Sequence, residues 1–186
     1  MEPAAEPLAL IAGGHTALAA CAVLYLAWWW LFFKPGAPKP RGGRYGAGVA
    51  CIVGAAVLGI AGLLPAGSQP VVLGGMAACG LALYAVLLTG TVKLFKRPVT
   101  TELLLFTAWA VLELGVLDAL FAAHALAAPA AIALGALAVA VLLTSLACYL
   151  LYYRLKPRRA YVAGAVPLAA VGLFAAAMAV VAALIR

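Results

Sequence analysis

Long apolar runs alternate with short connections rich in polar residues or helix breakers along almost the whole chain. The runs cover 8–33, 46–64, 71–92, 100–124, 130–153 and 160–185, and each approaches the roughly 20 residues that an α-helix needs to cross a hydrocarbon core. The pattern predicts an all-α, polytopic membrane protein of six transmembrane helices, arranged as three hairpins in a single domain over 1–186. Pro65, Gly67 and Pro70 punctuate the second connection. Pro129 opens the fifth run, where its missing N–H costs nothing.

The polar positions give the pattern a direction. Eleven of the 12 Lys and Arg residues fall in three loops: Lys34, Lys39, Arg41 and Arg44, then Lys93, Lys96 and Arg97, then Arg154, Lys156, Arg158 and Arg159. The connections at 65–70 and 125–129 carry no charge. Cytoplasmic loops are enriched in Lys and Arg, so loops 34–45, 93–98 and 154–159 are expected on the cytoplasmic side of the cell (inner) membrane, with both termini external. Glu2 and Glu6, ahead of the first run, agree with that orientation. The amino-terminal stretch lacks the basic n-region of a signal peptide, and the first run is expected to be retained as a span.

Composition strengthens the membrane reading. Apolar residues make up 68% and charged residues 9%, with a mean hydropathy of +1.18, against roughly 45–50% and about 25% in soluble domains. The net charge of +7 would raise nucleic acid as a partner of a soluble protein, but charges that flank spans point instead to anionic lipid headgroups. Arg41, Arg44, Lys96, Arg97, Arg158 and Arg159 are the candidate headgroup contacts. Cys21, Cys51, Cys79 and Cys148 lie in apolar runs without a C-x-x-C pair, so they read as small apolar residues.

Three local patterns bear on packing. A basic residue followed by Pro recurs at Lys34-Pro35, Arg97-Pro98 and Lys156-Pro157, at intervals of 63 and 59 residues. Repetition of a hairpin unit would produce this, and so would the shared demands of a membrane exit. Trp28, Trp29, Trp30, Phe32 and Phe33 read as an interfacial aromatic belt. Gly46, Ala50 and Gly54, like Ala131 and Gly135, are spaced for close helix approach. Pro167 should bend the sixth helix.

Ionisable groups inside hydrocarbon are costly and are candidates for function. The fourth run holds Glu102, Glu113 and His124 at intervals of eleven residues, which returns to within about 20° of one direction and predicts a common stripe. Asp118 lies about 140° from Glu113 around the same helix. Counted from the basic ends, His15 and Asp118 share a depth, so His15, Asp118 and His124 are expected to gather in an outer cluster above Glu113 if the first and fourth helices adjoin.

Three functions compete for this constellation. Glu113 suits a proton- or cation-linked step in binding or transporting a small solute, with the outer histidines assisting. His15 and His124 are weak candidates for haem or metal ligation, although no cofactor is expected. The carboxylates can also serve helix recognition alone, which suits a noncatalytic accessory subunit with a membrane-protein partner, or a homo-oligomer. An intramembrane lipid or redox enzyme ranks below these. Gly42-Gly-Arg-Tyr-Gly46 follows no strand, no G-x-x-x-x-G-K-[ST] is present, and Ser68 and Ser145 have no base beside them. Dinucleotide binding, ATP hydrolysis and serine hydrolysis therefore lack support.

Overall fold

The computed structural model describes residues 5–63, 70–93 and 101–185, without the side chains of 5–7, 63, 70–77, 101, 102 and 104. Among the described residues the chain forms six α-helices and no strand: α1 (Ala5–Phe33), α2 (Gly43–Leu63), α3 (Pro70–Lys93), α4 (Thr101–Ala122), α5 (Ala128–Tyr152) and α6 (Pro157–Leu184). Five contain stretches long and apolar enough to cross a membrane, namely Leu8–Phe33, Gly43–Gly62, Leu105–Ala122, Ala128–Tyr152 and Pro157–Leu184; the apolar part found in α3 is the shorter Ala78–Lys93. These helices are compatible with an integral, multi-pass membrane protein. The turn at Pro65 and Gly67, the basic residues Lys96 and Arg97, and the chain end at Met1 to Ala4 lie outside the described residues.

The chain divides into two compact units, Met1–Ala66 with Leu151–Arg186, and Gly67–Leu150. Among the described residues α1 packs on α2, and α3 packs on α4. The third basic loop instead links α5 of one unit to α6 of the other, and α6 packs on α1.

In the first unit α1 lies antiparallel to both α2 and α6. Along α2, Gly48 meets Phe32, Gly54 meets Leu24, Gly59 meets Cys21 and Gly62 meets Leu18, so one helix descends as the other rises. Along α6, Gly164 meets Trp29 and Gly172 meets Ala22. Missing side chains at these positions let the backbones approach closely enough for dispersion contacts to accumulate, which drives association where water supplies no hydrophobic force. The contact face of α2 is Gly48, Ala55, Gly59 and Gly62, with Gly54 at its margin. The expected stripe from Gly46 through Ala50 is not this face, because Ala50 is exposed and a Cβ at Gly46 would meet nothing within 4 Å. On α6 the buried positions are Pro167, Phe174, Ala175, Met178 and Ala182.

This arrangement brings the loops at 34–45 and 154–159 to the same end of the first unit. The aromatic group there is divided between two tasks. Trp29 is half-buried against Gly164, and its Nε1–H donates to the Tyr161 carbonyl at 3.1 Å. Its ring lies nearly parallel to those of Phe33, at 4.5 Å, and Tyr161, at 6.1 Å. Phe32 packs edge-on to Tyr45 of α2 at 5.7 Å. Trp30, by contrast, is 53% exposed with the Lys34 ammonium 5.3 Å above its ring. Of the aromatic residues expected to form a belt, Trp29 joins helices, whereas Trp30 stays exposed.

In the second unit α4 packs on α3, with Gly80 facing Val111. The backbones of α4 and α5 lie mostly beyond close-packing distance among the described residues, although Ala131 and Gly135 would permit a tight approach. Hydroxyls in both units are satisfied within their own helices: Thr16, Thr91, Thr107 and Ser145 each donate to the carbonyl four residues earlier, at 2.7–2.8 Å. Such bonds let a polar side chain enter an apolar region without an unmatched donor.

Candidate functional site

Leu103, Thr107, Ala110 and Leu117 form one buried row along α4, and Trp109, Val116 and Leu120 form a second beside it. Glu113 stands between the two rows and is fully buried, at 0% exposure. Its nearest positions on the same helix face are Trp109, Ala110, Val116 and Leu117, all buried and none charged. Glu113 is about 18 Å along the axis from Thr101 and about 14 Å from Ala122, which puts it near the centre of the span. An enclosed carboxylate at that depth requires a proton, a cation or strong hydrogen bonds to offset its lost hydration.

Asp118 faces another way. Five residues beyond Glu113, it is turned by about 140° and raised by about 7.5 Å, and it is exposed. It lines an open groove of about 370 Å³ with Leu114, Leu117 and Phe121 of α4 and Ala128, Ala131, Ile132 and Gly135 of α5. Separation of α4 from α5 creates this groove. Ala131 and Gly135, read as packing positions, line it instead.

His124 leaves the stripe predicted for it. The helix ends at Ala122, two residues short of that expectation, because His124 adopts a left-handed backbone with φ 56°. The His124 N–H donates to the Phe121 carbonyl at 2.9 Å, and the Ala125 N–H donates to Leu120 at 3.0 Å. This pair of bonds is a Schellman motif, with His124 at the position usually given to Gly. The exposed histidine thus serves the α4–α5 turn. Glu102 belongs to α4, but its side chain is outside the described set.

His15 belongs to the first unit, whereas Glu113, Asp118 and His124 belong to the second. It is buried, at 3% exposure, and its ring Nδ1–H donates to the Ile11 carbonyl at 2.8 Å. That bond selects the Nδ1–H tautomer of the neutral ring. Among the described residues no group of three or more His, Cys, Asp or Glu is disposed to hold a metal ion. Within the second unit, then, the candidate residues divide into an enclosed carboxylate, a carboxylate in an open groove and a turn histidine.

The basic end has its own electrostatics. Arg44 lies in the first turn of α2, while Lys156 is the N-cap residue of α6 and Arg158 and Arg159 follow in its first turn. Helix N-termini carry partial positive charge, so these placements oppose the helix dipoles. Lys156 also supplies no side-chain cap. Arg41, Arg44, Arg158 and Arg159 are all exposed, and the free amides of helix N-termini are donors that suit an anion. No protein-family model, curated protein or solved structure matches the chain.

Proposed function

We propose that this chain is a multi-pass protein of the cell membrane that binds a proton or small cation at Glu113 and couples that event to solute binding or transport. The carrying observation is the complete burial of a carboxylate at mid-depth in a membrane-length helix. Helix propensity gives no reason for an acid at that point, and an apolar residue would be cheaper there.

The orientation follows from charge. Loops 34–45, 93–98 and 154–159 face the cytoplasm, where Arg41, Arg44, Arg158 and Arg159 meet anionic headgroups that offset their unfavourable placement at helix N-termini. Placement of the first and third of these loops at one end of the first unit supports this reading.

The test is ion flux through purified protein in liposomes, followed with a pH-sensitive dye inside the vesicles under imposed proton, sodium or potassium gradients. Wild type should carry flux above empty vesicles. Glu113→Gln, with the same reconstitution yield and melting temperature, should reduce it at least about tenfold. Wild-type flux in Glu113→Gln, or no flux from wild type under any of the three gradients, overturns the proposal.

A further inference from the structure

The groove at Asp118 is separate from Glu113 and does not depend on the function proposed for that residue. Its volume of about 370 Å³ lies at the lower end of the roughly 300–1,000 Å³ typical of small-molecule sites. Seven of its eight lining residues are apolar or glycine, none is basic, and the eighth is Asp118. Such a lining attracts an apolar body carrying one positive charge. A neutral apolar molecule would leave the carboxylate desolvated without compensation, and an anion would be repelled.

Position strengthens the assignment. Asp118 precedes Ala122, the last residue of α4, by about 6 Å of helix rise, and Ala128 in the lining is the first residue of α5. The groove therefore reaches the α4–α5 turn, near the end of both spans, where an amphipathic cation concentrated in the headgroup layer would have access. Phe121 adds an aromatic face able to attract a cation. The aliphatic surfaces of Leu114 and Ile132 are available to organic substituents.

We infer that the α4–α5 groove binds a lipophilic organic monocation, such as a quaternary ammonium or phosphonium compound, with its charge at Asp118 and its apolar groups against Leu114, Phe121 and Ile132. A hydrated metal ion is a poor occupant, because the groove offers one carboxylate and no further side-chain oxygen.

Equilibrium dialysis of radiolabelled tetraphenylphosphonium against the full chain in detergent tests this directly, with protein-free micelles subtracted. Saturable binding is expected, and tetraphenylmethane, of the same shape and without charge, should fail to displace it when added in the same micelles. Asp118→Asn should raise the Kd at least about tenfold. Gly135→Leu keeps the carboxylate and fills the groove from α5. A Cβ there would lie 3.9 Å from Leu114 Cδ2, an ordinary van der Waals contact. This variant should also raise the Kd at least about tenfold while melting like wild type. Non-saturable uptake, displacement by tetraphenylmethane equal to that by unlabelled cation, or wild-type affinity in either folded variant overturns the assignment.

Discussion

Gly62 of α2 rests on the backbone of Gly14 in α1: a Cβ at position 62 would lie 2.8 Å from the Gly14 carbonyl oxygen and 2.7 Å from Leu18 Cγ. A side chain can rotate away from such a clash, but a helix carbonyl can do so only by moving the helix. Gly62→Ala should therefore destabilise the protein by about 1–3 kcal/mol. Gly46→Ala meets nothing within 4 Å and should be neutral or stabilising by up to about 1 kcal/mol. Thermal unfolding in one detergent ranks the two, and the opposite order would refute the α1–α2 register.

Trp29 separates two contributions at the α1–α6 contact. Trp29→Phe removes the Nε1–H bond to Tyr161 and keeps most of the ring packing, so a loss of about 1 kcal/mol is expected. Trp29→Ala also empties the space above Gly164 and should cost about 3–5 kcal/mol. Equal effects in a melting experiment would mean that the hydrogen bond, rather than packing, holds the contact.

His124 gives a prediction of opposite sign. Gly adopts its left-handed backbone without steric cost, so His124→Gly should stabilise the α4–α5 turn by about 0.5–1 kcal/mol. His124→Val should destabilise it by more than that, because a β-branched residue resists positive φ. Tetraphenylphosphonium affinity should survive His124→Gly. A large loss of that affinity with an unchanged melt would restore a ligand role to the imidazole.

The basic helix ends predict a lipid dependence. Adding phosphatidylglycerol to neutral mixed micelles should raise the melting temperature of wild type. The double variant Arg158→Gln with Arg159→Gln should lose at least half of that rise, and added salt should reduce what remains. An identical lipid response in the variant would show that these charges do not meet headgroups.

Much of the architecture was legible in the apolar runs, because in lipid a backbone must satisfy its own hydrogen bonds and helices result. Partner choice was less legible. The second run has small residues on several faces, and only the neighbour decides that Gly48, Ala55, Gly59 and Gly62 are the ones used. Likewise the Trp28-Trp29-Trp30 run does not reveal that adjacent rings serve an interhelix contact and an exposed interface. Glu113 stood out because an acid deep in an apolar run is expensive wherever its helix packs. The groove beside Asp118 left no comparable signal: it arises from the separation of α4 and α5, and Ala131 with Gly135 is equally suited to closing that gap. The end of α4 was missed because the eleven-residue interval to His124 fits a helix, whereas the backbone turns two residues earlier.

The antiparallel seat of α1 between α2 and α6 also sets a clock. Trp29 and Tyr161 are 132 residues apart, and the whole Gly67–Leu150 unit lies between them. At roughly 5–20 residues per second, the ribosome needs about 7–26 s after making Trp29 before Tyr161 exists. During that interval the Ala22 and Trp29 side of α1 has no α6 to cover it and must be shielded by lipid or by the insertion machinery. A chain stopped anywhere in α3, α4 or α5 keeps that side open, giving membrane quality control a physical mark of an unfinished protein.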